Sequence, residues 1–188
     1  MAELKPWNTL LYQISLTVGK RRRELVEDLS ETCQEFLHRL TDQERDVELH
    51  YKRCWPEDWP SFEQRLEELF EREQARGTSL LSPQKDDLEI QRKERSLRTY
   101  GSQGEQRLIA LCLRLAEAKV LARQQQESAI LLLDDAFSEL DIERRERLFA
   151  ILPEFSQVLI TTASPLQLKS AEYTQHEVAE GQILSPGE

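Results

Sequence analysis

Residues 130–141 read ILLLDDAFSELD, and this stretch decides the fold class of the chain. The apolar residues 129–133 show no polar alternation, so we expect both faces of the segment to be covered, as in a parallel strand packed between helices. Ligands of open α/β sheets collect at the carboxyl ends of such strands, which is where Asp134 and Asp135 fall. The stretch therefore predicts an α/β fold with a polar site at the end of this strand.

The two carboxylates at this strand end are expected to have different roles. Neighbouring strand residues point to opposite faces, so the side chains diverge if the chain begins to turn there. Asp134 would hold Mg²⁺ through water, and Asp135 would polarise an attacking water. The alternative is that two acidic residues merely open a solvated loop, and the pair alone does not decide between these interpretations.

A second motif lies upstream, where residues 100–107 read YGSQGEQR and open a strongly periodic helix. Ser102 is a natural N-cap residue. The glycines at positions 101 and 104 allow a ligand to approach the backbone closely, and the amides and dipole of a helix start attract phosphate. A plain helix cap is the alternative, but the position of the motif before the Asp-Asp strand favours a phosphate-related role.

Together these motifs resemble the carboxyl-terminal half of the RecF family of DNA replication and repair ATPases, which is related to the SMC and ABC-type ATPases. In that family a Ser-x-Gly signature helix is followed by a Walker B strand ending in Asp-Asp and by a Ser-Glu-Leu-Asp segment. Residues 82–88, SPQKDDL, are similar to a further block of the family, Gly-Pro-His-Arg/Lys-x-Asp. The resemblance covers essentially the whole chain.

The resemblance implies an α/β fold that forms the carboxyl-terminal part of an ABC/SMC-like P-loop ATPase head, with a helical arm subdomain. Residues 1–77 would form the arm, including a short strand, and residues 78–188 the carboxyl-terminal lobe of the head. The implied cofactors are ATP and Mg²⁺. Asp135 would be catalytic and Asp134 would hold Mg²⁺ through water.

Signature residues in this family close over the γ-phosphate of ATP bound to the partner subunit, which implies an ATP-dependent homodimer. The signature residues here would be Ser102, Gln103 and Gly104. The segment that crosses the dimer interface, the D-loop, would consist of Ser138, Glu139, Leu140 and Asp141. Asp141 would also cap the following helix. Thr161 and Thr162 would form the switch region, where the wider superfamily often has a histidine.

The chain also departs from the family pattern. Glu105 stands where the family usually has Gln, and an anion beside a phosphate site is unfavourable unless it turns outward. Gln84 replaces the usual His, and Ser82 replaces a Gly. The largest departure concerns the phosphate loop, because the only Gly-Lys pair is at residues 19–20 and lies in a helical context without the required pattern.

Without a phosphate loop this chain alone should bind ATP poorly and hydrolyse it hardly at all. It is similar to the back half of an ATPase, so we expect an apolar sheet edge and face to be left uncovered. Two functions stay open. The first is part of a RecF-type ATPase, and the alternative is a non-catalytic dimerisation or interaction module. The substitution Asp135→Asn in the complete protein separates them.

The resemblance implies that the complete protein binds single-strand/double-strand DNA junctions and assists RecA loading with RecR and RecO. The net charge of −10 is unusual for a DNA-binding protein, which normally shows a basic footprint. The best candidates for contacting the DNA backbone are Lys20, Arg21, Arg22 and Arg23. The competing interpretation is a solvated helix face balanced by nearby carboxylates.

Composition predicts a cytoplasmic protein. The three cysteines are scattered and form no Cys-x-x-Cys pair, which suits a reducing compartment and argues against a cysteine-ligated metal site. No apolar run approaches a membrane span.

Periodicity predicts a long amphipathic helix over residues 7–40 with a break near Gly19 or Ser30, short strands at 47–52, 88–91 and 97–100, and a closing hairpin that turns at residues 180–181.

Overall fold

The computed structural model describes residues 4–42, 46–127, 129–137, 140–163 and 173–184, and it divides into two compact units, Met1–Glu127 and Ser128–Glu188. Both units combine helices with strands, which confirms the predicted α/β class with a helical part. None of the helices in the described ranges combines the length and the apolar content that a membrane crossing requires.

The first unit is built on α1, a continuous helix over Lys5–Thr41. The predicted break is absent because both suspected positions serve packing. Gly19 lies against the Trp55 ring, and a Cβ added there would be 2.7 Å from Trp55 Cζ2. The Ser30 hydroxyl accepts a hydrogen bond from the Leu49 backbone N–H at 3.1 Å, which ties the helix to a strand.

The main core of this unit lies where α1 packs against α4, which spans Gln103–Gln125. Its buried residues from the two helices are Cys33, Phe36, Leu37, Leu40, Ile109, Cys112, Leu115 and Ala116. Burial raises the pKa of the Cys33 thiol to about 12 and also raises the pKa of Cys112. Both thiols are therefore protonated core residues.

An antiparallel sheet joins the two predicted domains. Strand β1, Val47–Lys52, pairs with β2, Asp87–Arg92, which pairs with β3, Arg95–Ser96. The structure thus groups residues differently from the predicted boundary at 77/78, because the half-exposed β1 needs a hydrogen-bonded partner and finds it beyond that boundary.

One further element of the first unit differs from the sequence pattern. The strand predicted at 97–100 is wrong, since Leu97–Tyr100 forms the short helix α3, in which the Gly101 N–H donates to Leu97 O at 2.9 Å. Helix α2, Trp59–Arg76, begins at the N-cap Asp58, whose carboxylate accepts the Ser61 N–H at 2.9 Å. Pro83–Lys85 forms one 3-10 turn before β2.

The second unit contains a strand-helix-strand crossover. Strand β4, Ile130–Asp134, and strand β5, Gln157–Thr161, are parallel neighbours, and helix α5, Ile142–Ile151, lies between them in the chain and ends in the 3-10 turn Leu152–Glu154. The closing hairpin consists of β6, Glu177–Ala179, and β7, Gln182–Leu184, with its turn at the predicted position.

The two faces of the β4–β5 pair are unequal. Leu131 and Leu133 are buried, whereas Ile130 is 59% exposed and Leu132 is 72% exposed. Leu159, which pairs with Leu132 in the parallel register, is exposed on the same face. The expectation that both faces of β4 are covered therefore fails within this chain, and the expected uncovered apolar face is present.

Candidate functional site

The two carboxylates predicted at the strand end meet a threonine from the neighbouring strand. Asp134 and Thr161 are partners in the parallel register of β4 and β5, and the Thr161 hydroxyl donates a hydrogen bond to Asp134 Oδ1. The Asp135 N–H is shared between Thr161 O and Thr161 Oγ1, both at 3.1 Å. One residue of β5 therefore holds both acidic residues at the carboxyl end of the sheet.

The chain leaves the strand at Asp135. This residue has a φ of +47°, in the left-handed region that aspartate and asparagine enter more easily than branched residues. Asp134, Asp135, Thr161 and Thr162 are all exposed. The result is an accessible group of oxygen atoms at the strand ends, where open α/β sheets bind their ligands.

Only part of the predicted D-loop can be located. Ser138 and Glu139 lie outside the described residues. Leu140 is buried, and its carbonyl accepts a hydrogen bond from Arg145 Nε at 2.8 Å. Asp141 is the N-cap of α5, and its carboxylate accepts the Arg144 N–H at 2.8 Å, which confirms the predicted cap.

The signature motif forms a reciprocal cap at the start of α4. The Glu105 N–H donates to Ser102 Oγ at 3.3 Å, while Glu105 Oε2 accepts the Ser102 N–H at 3.0 Å and the Ser102 hydroxyl at 2.8 Å. Arg92 Nη1 also lies 2.5 Å from Glu105 Oε1. The hydrogen bonds from Ser102 and the charge of Arg92 hold the pKa of Glu105 below its usual value.

The two glycines of this motif have different reasons to be glycine. A Cβ at Gly101 would lie 2.6 Å from the Leu97 carbonyl oxygen, so the chain itself requires a small residue there. A Cβ at Gly104 would meet no atom of the described residues within 4 Å. Glycine is a poorer helix former than alanine, and packing against the described residues does not explain its presence at position 104. Gln103, beside it, is exposed.

The four consecutive basic residues of α1, at positions 20–23, differ in their surroundings. Lys20 pairs loosely with Glu24 at 3.9 Å, and Arg23 Nη2 lies 3.1 Å from Glu57 Oε1. Arg21 is exposed. Arg22 turns toward the loop before β2, where it donates to Pro83 O and lies 3.3 Å from Asp86 Oδ2. Arg22 and Arg23 are therefore held by groups of this chain, whereas Lys20 and Arg21 are more accessible to a DNA backbone.

Asp86 is a hub of the first unit, meaning a buried carboxylate that several segments contact. The sequence motif did not predict this structural role. Its side chain is 1% exposed and accepts hydrogen bonds from the Tyr51 hydroxyl, the Cys54 N–H at 3.0 Å and Trp55 Nε1 at 3.3 Å, besides its ion pair with Arg22. Burial and the hydrogen bond to Asp86 raise the pKa of Tyr51. The 82–88 block thus anchors the loop before β2 to α1 and to the segment after β1.

Comparison with known proteins places the motifs in one family. A family model for the SbcC/RAD50-like Walker B motif matches residues 81–154. The DNA replication and repair protein RecF of Herpetosiphon aurantiacus is 36% identical over 165 residues, which cover 87% of this chain and 43% of that protein. RecF of a Cyanothece strain is 32% identical over 195 residues, covering 97% of this chain and 51% of the relative.

Two solved structures share the fold. A structure of the recombination mediator protein RecF with ATP, from the RecFOR pathway, matches 87% of this chain and 46% of its own chain with a TM-score of 0.71 at 24% identity. A second RecF structure, with ATPrS, matches 96% of this chain and 50% of its own with a TM-score of 0.72 at 22% identity. The chain belongs to the RecF family, and it spans about half the length of the curated relatives it matches.

Proposed function

We propose that this chain forms the carboxyl-terminal half of a RecF-type DNA replication and repair ATPase. The observation that carries the proposal is the group formed by Asp134, Asp135 and Thr161 at the carboxyl ends of two parallel strands. Thr161 holds Asp134 by its carboxylate and Asp135 by its backbone N–H. Two exposed acidic residues at a strand end serve no evident packing purpose, whereas carboxylate oxygens there are what phosphoryl transfer to water requires.

The oxygen atoms present at this site suit Mg²⁺, which prefers carboxylates and water and keeps several of its own waters. Asp134 would hold the ion through water, and Asp135 would orient and polarise the attacking water. Mg²⁺ bound beside ATP supplies charge neutralisation for the phosphate oxygens. Thr161 keeps the carboxylate of Asp134 in one position and fixes the backbone of Asp135 at the strand end.

The signature motif would act on ATP held by a second subunit. Ser102, Gln103 and Gly104 are exposed at the start of α4, and Gly104 has open space in front of it. A glycine that its own chain does not require is explained if the backbone must come close to a phosphate of the partner. ATP would therefore join two subunits, and the segment 138–141 would lie at the same interface.

The complete protein would bind single-strand/double-strand DNA junctions and assist RecA loading together with RecR and RecO. This part of the proposal follows from family membership and from relatives that carry the name DNA replication and repair protein RecF. On α1, Lys20 and Arg21 are the better candidates for contacting the DNA backbone, because Arg22 and Arg23 are engaged with carboxylates at 3.3 and 3.1 Å.

The test uses the complete protein, in which this sequence is joined to a half that carries the phosphate loop. The substitution Asp135→Asn suits the left-handed backbone at this position and removes only the charge. We expect ATP hydrolysis to fall by a factor of about 10² to 10⁴, with ATP-dependent association retained. Asp28→Asn, at an exposed position of α1, is the matched control. Unchanged hydrolysis in the Asp135 variant would support the non-catalytic alternative instead.

A further inference from the structure

Arg92 joins the end of strand β2 to the signature motif. Its side chain is 18% exposed, and its Nε contacts Asp46 Oδ1 and Oδ2 at 3.1 and 3.2 Å. Its Nη1 lies 2.5 Å from Glu105 Oε1. Asp46 therefore fixes the Nε side of the guanidinium, and Nη1 points to the first turn of α4. These contacts give the guanidinium a defined position near Ser102.

Three donors converge on the Glu105 carboxylate. They are the Ser102 N–H at 3.0 Å, the Ser102 hydroxyl at 2.8 Å and Arg92 Nη1 at 2.5 Å. A backbone amide, a hydroxyl and an arginine are the donor types that proteins use to bind phosphate oxygens. These three donors therefore already bind an anion, which is the carboxylate of Glu105.

Arg92 and Glu105 border an open cleft of about 470 Å³. Its lining includes the cationic side chains of Arg92, Lys93 and Arg95, the ring of Tyr100, and Gly101 and Glu105. Arg95 is exposed and makes no ion pair with any residue in the described part of the chain. Positive charge therefore exceeds negative charge along the lining, and the space suits a polyphosphate group.

We infer that Arg92 is a phosphate-binding residue of the signature site, and that the Glu105 carboxylate holds the phosphate position until the γ-phosphate of the partner's ATP displaces it. The inference rests on the proposed function, in which Ser102 closes over that phosphate. On displacement, Ser102 and Arg92 release the Glu105 carboxylate and bind the γ-phosphate instead. The hydrogen bonds that Glu105 loses must be broken before ATP can bind there. Glu105 therefore weakens association and raises the ATP concentration at which the subunits join.

The test measures association of the complete protein during a titration with Mg·ATP, by sedimentation velocity. Glu105→Gln removes the competing charge and retains an amide that can cap the helix, so we expect association to tighten by about tenfold. Adding Arg92→Gln to the Glu105→Gln variant should weaken association at least about tenfold relative to the single variant, because a charge-assisted hydrogen bond to phosphate is lost. Arg114→Gln, on the exposed side of α4, is the control.

The double variant separates two roles of Arg92. If Arg92 only anchors Glu105, its removal has no effect once Glu105 is neutral, and that result would overturn the inference. Should Arg92→Gln fail to fold for loss of its contact with Asp46, Arg92→Lys keeps the charge without the planar fork, and we expect an intermediate affinity. Ser102→Arg tests the proposed function separately, because it blocks the signature site without changing Arg92 or Glu105. If association with ATP is absent in the wild type or unaffected by Ser102→Arg, the signature site itself is refuted.

Discussion

Thr161 donates a hydrogen bond to the carboxylate of Asp134, its partner in the parallel register of β4 and β5, and the same threonine accepts the N–H of Asp135 through two oxygens. A residue that reads as an ordinary strand-end threonine thus positions the carboxylate of Asp134 and the backbone of Asp135.

Thr161→Val should therefore separate strand formation from catalysis. Valine keeps the shape and the strand preference of threonine but removes the hydroxyl that fixes Asp134. We expect ATP hydrolysis by the complete protein to fall by at least about tenfold, the value of one hydrogen bond to a charged group. Thr161→Ser, which keeps the hydroxyl, should retain most of the rate. Equal steady-state rates for the valine and serine variants would contradict the positioning role.

Gly104→Ala should have opposite effects on stability and on association. The new methyl group meets no described residue within 4 Å, and alanine is the better helix former, so the free energy of unfolding should rise by up to about 1 kcal/mol in urea denaturation. ATP-dependent association should be lost, because the methyl group occupies the space proposed for the partner's phosphate. A variant that is more stable and still associates normally would remove the argument for Gly104.

Gly101→Ala is the matched control for that experiment. Its Cβ would lie 2.6 Å from the Leu97 carbonyl oxygen and 2.7 Å from Leu97 Cδ1, so the backbone must move to accommodate it. We expect this variant to lose stability before any effect on association is measurable.

The sequence revealed the site residues whose role depends on local structure. Ser102 and Asp141 cap helices at the positions their neighbours predict, and the apolar run before Asp134 forms a parallel strand. It did not reveal Arg92, because the contact of Arg92 with Glu105 depends on how β2 ends beside α4, which no periodicity encodes. The pairing of β1 with β2 across a long helical insertion is hidden for the same reason.

Asp86→Asn should destabilise the chain strongly. The carboxylate is buried and accepts four hydrogen bonds, three of them from the side chains of Tyr51, Trp55 and Arg22. Neutralising it therefore weakens charge-assisted interactions that solvent cannot replace. We expect a loss of about 2–3 kcal/mol in the free energy of unfolding. Asp87→Asn, at the exposed neighbouring position, should change it by less than about 0.5 kcal/mol. Similar losses for both variants would refute the hub role.

Lys20 and Arg22 should respond differently when each is changed to glutamine. Lys20→Gln should leave stability nearly unchanged and weaken binding of a DNA junction, with the slope of log affinity against log salt concentration falling by about 1. Arg22→Gln should chiefly lower stability, because it releases Asp86 and the Pro83 carbonyl. If Arg22→Gln weakened DNA binding as much as Lys20→Gln without loss of stability, Arg22 would be a DNA contact as the sequence first indicated.

Glu105 should give the chain a pH-dependent increment of stability. Its folded pKa is held below the unfolded value by the hydrogen bonds from Ser102 and by Arg92, so the increment is present above the unfolded pKa and is lost as pH falls through the folded pKa. The stability difference between the wild type and Glu105→Gln should therefore stay constant between about pH 6 and 8 and shrink below about pH 4.3. Urea denaturation at each pH measures it, and a difference that grows on acidification would show that Glu105 is not stabilised as a carboxylate.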